Sequence, residues 1–144
     1  LHGDVGVHGV WRRGATAIFD IRVTDTDAPS YRGQDPQKIL AKHEKEKKDK
    51  YGELCLARRR HFTPLVFSVD GLRGEEASSA TKRLASRLAA KWKRTYSEVC
   101  GFVRSRLAIS LVRTTSLCLR GARDPTARAT HAEWDSGVGL ALYQ

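Results

Sequence analysis

The sequence of 144 residues contains no methionine and no hydrophobic run long enough to cross a membrane. Its longest uncharged stretches, residues 62–69 and 136–144, fall well short of the roughly 20 apolar residues that a spanning helix needs. No basic stretch followed by an apolar segment opens the chain, which argues against a signal peptide. We therefore expect no membrane partner. Because the chain starts at Leu1 without a methionine, we expect it to be part of a longer protein.

Cysteine is also scarce, and the three that occur, Cys55, Cys100 and Cys118, form no CxxC pair. A disulfide framework or a zinc ribbon is therefore not expected, and a reducing compartment is favoured. We predict that all three are small buried hydrophobic side chains. The five histidines lack the spacing of a metal site, and neither a glycine-rich phosphate loop nor a G-x-S-x-G elbow occurs.

Acidic residues are outnumbered by basic ones in two long stretches, and the chain has a net charge of +10. Residues 37–60 contain nine lysines and arginines against four acids, and residues 82–123 contain eleven against one, Glu98. Both stretches have helical patterns. Basic helices beside a more acidic centre are typical of proteins that bind a polyanion, most often nucleic acid. The alternative is a basic surface that is merely solvated.

Hydrophobic periodicity predicts an α/β fold. A helix between the second and third strands favours a parallel crossover, which is right-handed by strong preference. We predict residues 1–123 as one domain and 124–144 as a partly disordered tail. The predicted elements are strands over 3–8, 16–24 and 62–69, and helices over 35–58, over 75–94 and from 95 onward.

Aromatic residues make up 8% of the chain, and its three tryptophans are Trp11, Trp92 and Trp134. Helical spacing places Trp92 with Leu84 and Leu88 on the apolar face of the second helix, so we expect it to be buried. The remaining two tryptophans do not make a platform on which bases could stack.

Asp4 and Asp20 are the first candidates for a functional site. A hairpin with its midpoint near Arg12 sets Asp4 opposite Asp20, and the alternation along the strand places Arg22 on the same side. Two neighbouring carboxylates repel each other unless a cation lies between them, and Mg²⁺ suits such a pair. Aspartate is depleted in strands, so its presence here requires a reason. The alternative is that Asp4 caps the end of a strand and that Asp20 is an acidic residue on an edge strand.

The first helix supplies further candidates. Glu44 and Lys47 lie between apolar residues of one stripe, so both should point toward the sheet, where charge is unfavourable unless it is paired or functional. Lys48 lies at the flank of this stripe. The alternative is an ion pair on a solvated helix. The stripe consists of Leu40, Glu44, Lys47, Tyr51, Leu54 and Cys55.

These features together resemble the PD-(D/E)XK restriction-endonuclease-like core. The pattern is an Asp, fifteen residues, Asp-x-Arg at the end of a hairpin, a helix and a strand. The segments GDV, FDIRVTDTDA, KKDKY and HFTPLVFSVDG resemble, more specifically, the restriction-like endonuclease region at the C-terminal end of reverse-transcriptase polyproteins from transposable elements. The resemblance covers about residues 4–70, and the two basic helices that follow match less specifically. It implies a β-hairpin, a crossover helix and a strand, with an N-terminally truncated start.

The resemblance implies a metal-dependent DNA endonuclease, in which two acids bind Mg²⁺ or Mn²⁺ and a lysine positions or activates the attacking water. Asp4 and Asp20 match the two acids, and Gly3 stands where the motif has proline. Arg22 stands where the motif has lysine; a guanidinium can stabilise transition-state charge but does not readily give up a proton.

A pattern like K-x-x-K-Y on the following helix is thought to supply the lysine in the retrotransposon branch. Lys47, Lys50 and Tyr51 match this pattern, which implies that Lys47 lies beside the attacking water. Glu44 would then be an accessory acid or a partner of Lys47.

The resemblance also implies DNA as the partner, a nuclear location and a larger parent polyprotein. A dimer is compatible with it, because two nicks make a double-strand break. Two alternatives stay open: a degenerate nuclease domain that only binds nucleic acid, and a helical module that binds a protein through residues 82–123. Contacts to the DNA backbone are expected from Lys48, Lys82, Arg83, Arg87, Arg94, Arg104 and Arg106.

Overall fold

A computed structural model describes residues 4–121 of the chain as a mixed α/β structure. The strands and helices begin and end within a few residues of their predicted bounds. The predicted tail, residues 124–144, lies outside the described part. No helix in the described part is long and apolar enough to cross a membrane. The elements are β1 (Val5–His8), β2 (Thr16–Thr24), a 3₁₀ turn (Pro29–Tyr31), α1 (Pro36–Ala57), β3 (Arg60–Ser68), α2 (Glu75–Trp92) and α3 (Tyr96–Gly121).

The three strands form one sheet in the order β1-β2-β3. β1 and β2 are antiparallel with Val5 opposite Phe19, and the turn between them uses Gly14 at a φ of 81°. β2 and β3 are parallel, with Asp20 level with Pro64. Because α1 joins these two parallel strands, the predicted crossover is confirmed.

One face of β2 and β3 is covered by α1. The Asp35 side chain accepts a hydrogen bond from the Gln37 N–H at 2.9 Å, which caps the helix as its position before Pro36 predicts. Leu40 and Cys55 are fully buried. The predicted inward position of Leu54 is wrong, since this side chain is 54% exposed.

The opposite face of the sheet is partly covered by α2. Phe19, Ile21, Leu65 and Phe67 alternate with the α1-facing residues and line an apolar groove together with Leu84 and other side chains. The predicted burial is wrong for Leu84 and Trp92, which are 47% and 45% exposed, whereas Leu88 is partly buried and packs against the core. The side chains that α2 buries are small ones, which let a helix approach its neighbours closely: Ala77, Thr81, Ala85 and Ala89.

The helix α3 begins with the predicted capping box. Thr95 N–H and Oγ1–H donate to Glu98 Oε2 at 3.2 and 2.9 Å, while the Glu98 N–H donates to Thr95 Oγ1 at 3.4 Å. Val99, Cys100 and Val103 pack against Ala85 and Ala89 of α2.

The chain divides into two units, Leu1–Leu111 and Val112–Gln144. The first unit contains the whole sheet, α1, α2 and the candidate site, whereas only the end of α3 is described in the second. Cys55 and Cys100 are buried, but Cys118 is exposed, so the prediction of three buried cysteines is wrong for Cys118.

Candidate functional site

The centre of the candidate site is the carboxylate of Asp20, in the middle of β2. Asp20 is 7% exposed and points toward α1, where its Oδ2 contacts the ammonium of Lys47. This oxygen is buried and accepts no hydrogen bond of regular geometry from the described residues. A carboxylate is unfavourable in a buried position without a cation beside it, so the contact with Lys47 stabilises Asp20 at this position.

Asp4 lies just before β1, on the strand that neighbours Asp20. Its Oδ2 accepts a hydrogen bond of 2.7 Å from the backbone N–H of Ile21. The register Val5–Phe19, extended by one residue, brings Asp4 level with Asp20, as the hairpin pattern predicts. The hydrogen bonds between β1 and β2 end here, and one oxygen of the Asp4 carboxylate accepts from the N–H of Ile21 on β2.

Arg22 follows Asp20 on the same side of β2 and contacts α1. Its Nη1 lies 3.3 Å from Glu46 Oε2, and its Nη2 lies 3.3 Å from His43 Nε2. A guanidinium has five N–H donors, so these two contacts leave donors for a further anion.

His43 is the residue at this site that sequence reasoning missed. It is 3% exposed, and Arg22 Nη2 can only donate, so His43 Nε2 must be the acceptor. Nδ1 then carries the hydrogen and donates to Thr24 Oγ1 at 3.1 Å, while the Tyr31 hydroxyl lies 3.1 Å from Nε2. The sequence contains a signal for this position, because His43 precedes Lys47 by one helical turn and therefore lies on the same side of α1.

Glu44 is buried, but its contacts are with the start of α2. Its Oε1 accepts a hydrogen bond of 3.0 Å from the Glu76 N–H. Burial raises the pKa of Glu44, and the backbone hydrogen bond from Glu76 opposes this shift. The N-cap residue of α2 is Gly74, which has no side chain, and the Glu44 carboxylate caps the helix in its place.

The other lysines near this site have different neighbours. Lys48 pairs with the carboxylate of Glu76 on α2. Lys50 and Lys47 lie over the ring of Tyr51, with Nζ-to-centroid distances of 5.1 and 5.9 Å. The structure thus brings Asp20 and Lys47 together with Asp4 one strand away, whereas Glu44 and Lys48 contact α2.

Most of the basic residues assigned to DNA are exposed on α2 and α3, whereas Arg94 lies between these two helices and Lys48 lies on α1. Arg83 and Arg87 each follow a buried residue of α2 by two positions, which places them on its outward side. Arg83 Nε also donates to the Val10 carbonyl at 3.4 Å. Lys82, Arg94, Arg104 and Arg106 are exposed as well. Because α1 and α2 pack on opposite faces of the sheet, the α2 residues lie across the sheet from Lys47.

No family model, curated protein or solved structure matches this chain. Within residues 4–121, no three His, Cys, Asp or Glu side chains converge as metal ligands. What the arrangement offers chemically is therefore a buried carboxylate in contact with an ammonium, a second carboxylate on the adjacent strand and a guanidinium two residues away.

Proposed function

We propose that the protein is a metal-dependent DNA endonuclease domain with a PD-(D/E)XK restriction-endonuclease-like core. The observation that carries this proposal is the contact between the Lys47 ammonium and the buried carboxylate of Asp20, beside the strand end that carries Asp4. The hairpin, the parallel crossover through α1 and the third strand support it. The same resemblance supports a nuclear location and a larger parent polyprotein derived from a transposable element.

The residues present fit a hard divalent cation. The Asp20 carboxylate has a second oxygen besides the one that contacts Lys47, and the Asp4 carboxylate has one besides the oxygen that accepts from the Ile21 N–H, so we assign Mg²⁺ or Mn²⁺ to these two residues. Mg²⁺ characteristically uses one or two carboxylates and fills its remaining positions with water and substrate phosphate. Such a site needs no third acidic ligand. A cation held by Asp4 and Asp20 would polarise the phosphate and make a nearby water more acidic.

The side chains around the metal ligands have complementary tasks in hydrolysis. Water adds to phosphorus and releases a proton, a P–O ester bond breaks, and the leaving oxygen takes up a proton. We assign Lys47 to hold the attacking water, because its ammonium lies at Asp20. Arg22, held by Glu46 and His43, donates its remaining N–H groups to a phosphate oxygen. Glu44 acts as a positioning residue, because its carboxylate fixes α2 against α1.

The exposed basic residues would hold the DNA backbone without reading sequence. Those on α2 lie across the sheet from Lys47, so they would anchor the DNA at a distance from the reacting phosphate. The residues that would do this are Lys48 on α1, Lys82, Arg83 and Arg87 on α2, Arg94 between α2 and α3, and Arg104 and Arg106 on α3.

A nucleic-acid-binding module without cleavage is the second candidate. Two observations favour it: Asp20 and Arg22 are both paired within the chain, and an arginine replaces the lysine of the motif. In that case the ion pairs would be structural, and DNA binding would not depend on Mg²⁺.

Nicking of supercoiled plasmid at low salt distinguishes the two candidates. With Mg²⁺, we expect nicking that EDTA abolishes and that Asp20→Asn lowers at least about 100-fold, because several kcal/mol of transition-state stabilisation are lost. Lys47→Ala should lower the rate by a similar factor. The matched control is Lys45→Ala, an exposed lysine on the same helix, which should leave the rate unchanged.

Binding measurements complete the experiment. Calorimetric titration of the parent chain with MgCl₂ should show binding that Asp20→Asn removes. If folded protein shifts DNA on a gel equally well in Mg²⁺ and EDTA and never nicks it, the endonuclease proposal is wrong and the binding module is correct.

A further inference from the structure

Two aromatic side chains are exposed where α2 ends and α3 begins. Trp92 and Phe102 are 45% and 51% exposed, and their ring centroids lie 5.6 Å apart in an edge-to-face arrangement at 77°. They line an open groove of about 530 Å³ with Arg94, Glu98 and Val99, and we name these five residues the aromatic corner. The edge-to-face arrangement leaves ring surface that the pair itself does not cover.

Basic residues flank the aromatic corner in the sequence, and one of them, Arg94, lines the groove itself. Lys91, Lys93 and Arg94 are exposed immediately beside Trp92, and Arg106 follows Phe102 by one turn of α3. The acid at this corner is Glu98, whose Oε2 accepts from the Thr95 N–H and hydroxyl in the capping box. The groove therefore combines flat apolar surface with a cationic rim.

Unpaired nucleic acid fits this combination, because it presents flat bases and phosphates at alternate positions along one chain. Bases stack on aromatic rings, while lysine and arginine follow the backbone. An apolar peptide would use the rings but not the cations, and a paired duplex would use the cations but not the rings. One partner, unpaired nucleic acid, thus accounts for both the exposed rings and the basic side chains.

We propose that the aromatic corner binds single-stranded DNA, with bases stacked on Trp92 and Phe102 and phosphates at Lys91, Lys93 and Arg94. This site is separate from Asp20 and Lys47. It rests on the proposed function only for the choice of DNA over RNA. It would hold an unpaired strand while the metal centre acts elsewhere on the DNA.

The test is fluorescence anisotropy with a labelled oligothymidylate of about 20 nucleotides, which exceeds the usual site sizes of 4–16 nucleotides. All measurements contain EDTA, so that no strand is cut. Trp92→Ala and Phe102→Ala should each weaken binding about 5- to 150-fold, the range that stacking of one base gives. Trp92→Phe keeps a ring and should retain most of the affinity.

Three controls show whether the loss comes from stacking. Leu84→Ala removes a comparably exposed apolar side chain from the same helix and should leave binding unchanged. An abasic oligomer of equal length loses stacking on both rings, so it should bind the parent at least as weakly as the thymidylate binds Trp92→Ala. Circular dichroism reports whether each variant is folded, and the abasic oligomer, which is measured on the parent chain, covers the case in which Trp92→Ala is not.

The proposal is overturned if the abasic oligomer binds as tightly as the thymidylate, or if both alanine variants retain full affinity. Tighter binding of a uridylate oligomer would overturn the assignment to DNA. Asp20→Asn should bind the thymidylate like the parent. Plasmid nicking can therefore fail while the aromatic corner still binds single strands, and the two proposals fail separately.

Discussion

The buried imidazole of His43 holds the residues around Arg22 in place. Its Nε2 accepts from the Arg22 guanidinium and its Nδ1–H donates to Thr24, an arrangement that requires the neutral ring. Burial lowers the pKa of His43, and the positive charges of Arg22 and Lys42 lower it further, against an opposing contribution from Glu46. A protonated ring would lose its acceptor and repel the guanidinium.

His43 should therefore make the stability of the protein depend on pH. In the unfolded chain it takes up a proton near its ordinary pKa of 6.5, whereas the folded protein resists protonation to lower pH. Its contribution to the free energy of unfolding is complete above this pH and is lost as the pH falls through the lowered pKa. Urea unfolding from about pH 7.5 to about pH 5 should show the stability advantage of the parent over His43→Gln shrinking.

The pKa of Glu44 is shifted upward, so its effect on the pH dependence of stability has the opposite sign and must be separated from that of His43. Its raised pKa means that folding favours the protonated carboxyl, so its contribution improves as the pH falls through that pKa. Both proteins contain Glu44, so the comparison cancels it. His8→Gln, on an exposed strand, serves as the control. A constant difference between the parent and His43→Gln would contradict a neutral buried His43.

Among the helices, the contact between α1 and α2 depends on two residues of α1 that lie one turn apart. Glu44 accepts from the Glu76 N–H, and Lys48 pairs with the Glu76 carboxylate. Anions stabilise a helix N-terminus because free N–H groups and the helix dipole are directed toward them. A glycine at the N-cap makes room for a carboxylate supplied by another helix.

Gly74→Ala should accordingly destabilise the protein. Gly74 has an ordinary φ of −63°, so alanine is not strained there, but its methyl group would occupy the position of the Glu44 carboxylate. Displacing this cap should lower the free energy of unfolding by about 1–2 kcal/mol, the usual value of an N-cap. Chemical denaturation measures the change.

Gly101→Ala is the matched control on α3. A methyl group at Gly101 meets no neighbouring atom within 4 Å, so alanine should stabilise the helix by up to about 1 kcal/mol. We expect Gly74→Ala to lower the free energy of unfolding and Gly101→Ala to raise it. A stabilising Gly74→Ala would show that Glu44 does not act as the cap of α2.

For the molecule as a whole, the dominant feature is the net charge of +10. A field of this size attracts any polyanion, so weak DNA binding alone would not identify a binding surface. The salt dependence is more informative, because it counts the phosphates that the protein neutralises. A contact surface on α2 predicts a dependence on particular arginines rather than on total charge.

Two double variants that remove the same charge test this point. Arg83→Gln with Arg87→Gln should reduce the slope of log affinity against log salt by about two, because two phosphate contacts are lost. Lys38→Gln with Lys45→Gln removes the same charge from exposed positions of α1, across the sheet, and should change the slope far less. Equal reductions would mean that binding follows total charge and that α2 provides no specific surface.

Local patterns in the sequence determined the elements and part of the site. Asp35-Pro36 and the Thr95–Glu98 box predicted two helix starts, because capping involves residues within one turn of each other. The hairpin register and the period of the strand placed Asp4 near Asp20 and set Arg22 on the side of α1. Each of these features depends on residues that are close in sequence or joined by a short turn.

The tertiary structure decided which side chains meet across elements. Glu44 caps α2 and Lys48 pairs with Glu76 because α2 begins beside α1, which no pattern within α1 shows. Trp92 is exposed because α2 packs through its alanines: small side chains allow close approach, and the larger apolar residues at the margin of the contact stay outside. Periodicity marks an apolar face but does not specify which part of it another element covers, and that depends on the packing of the assembled chain.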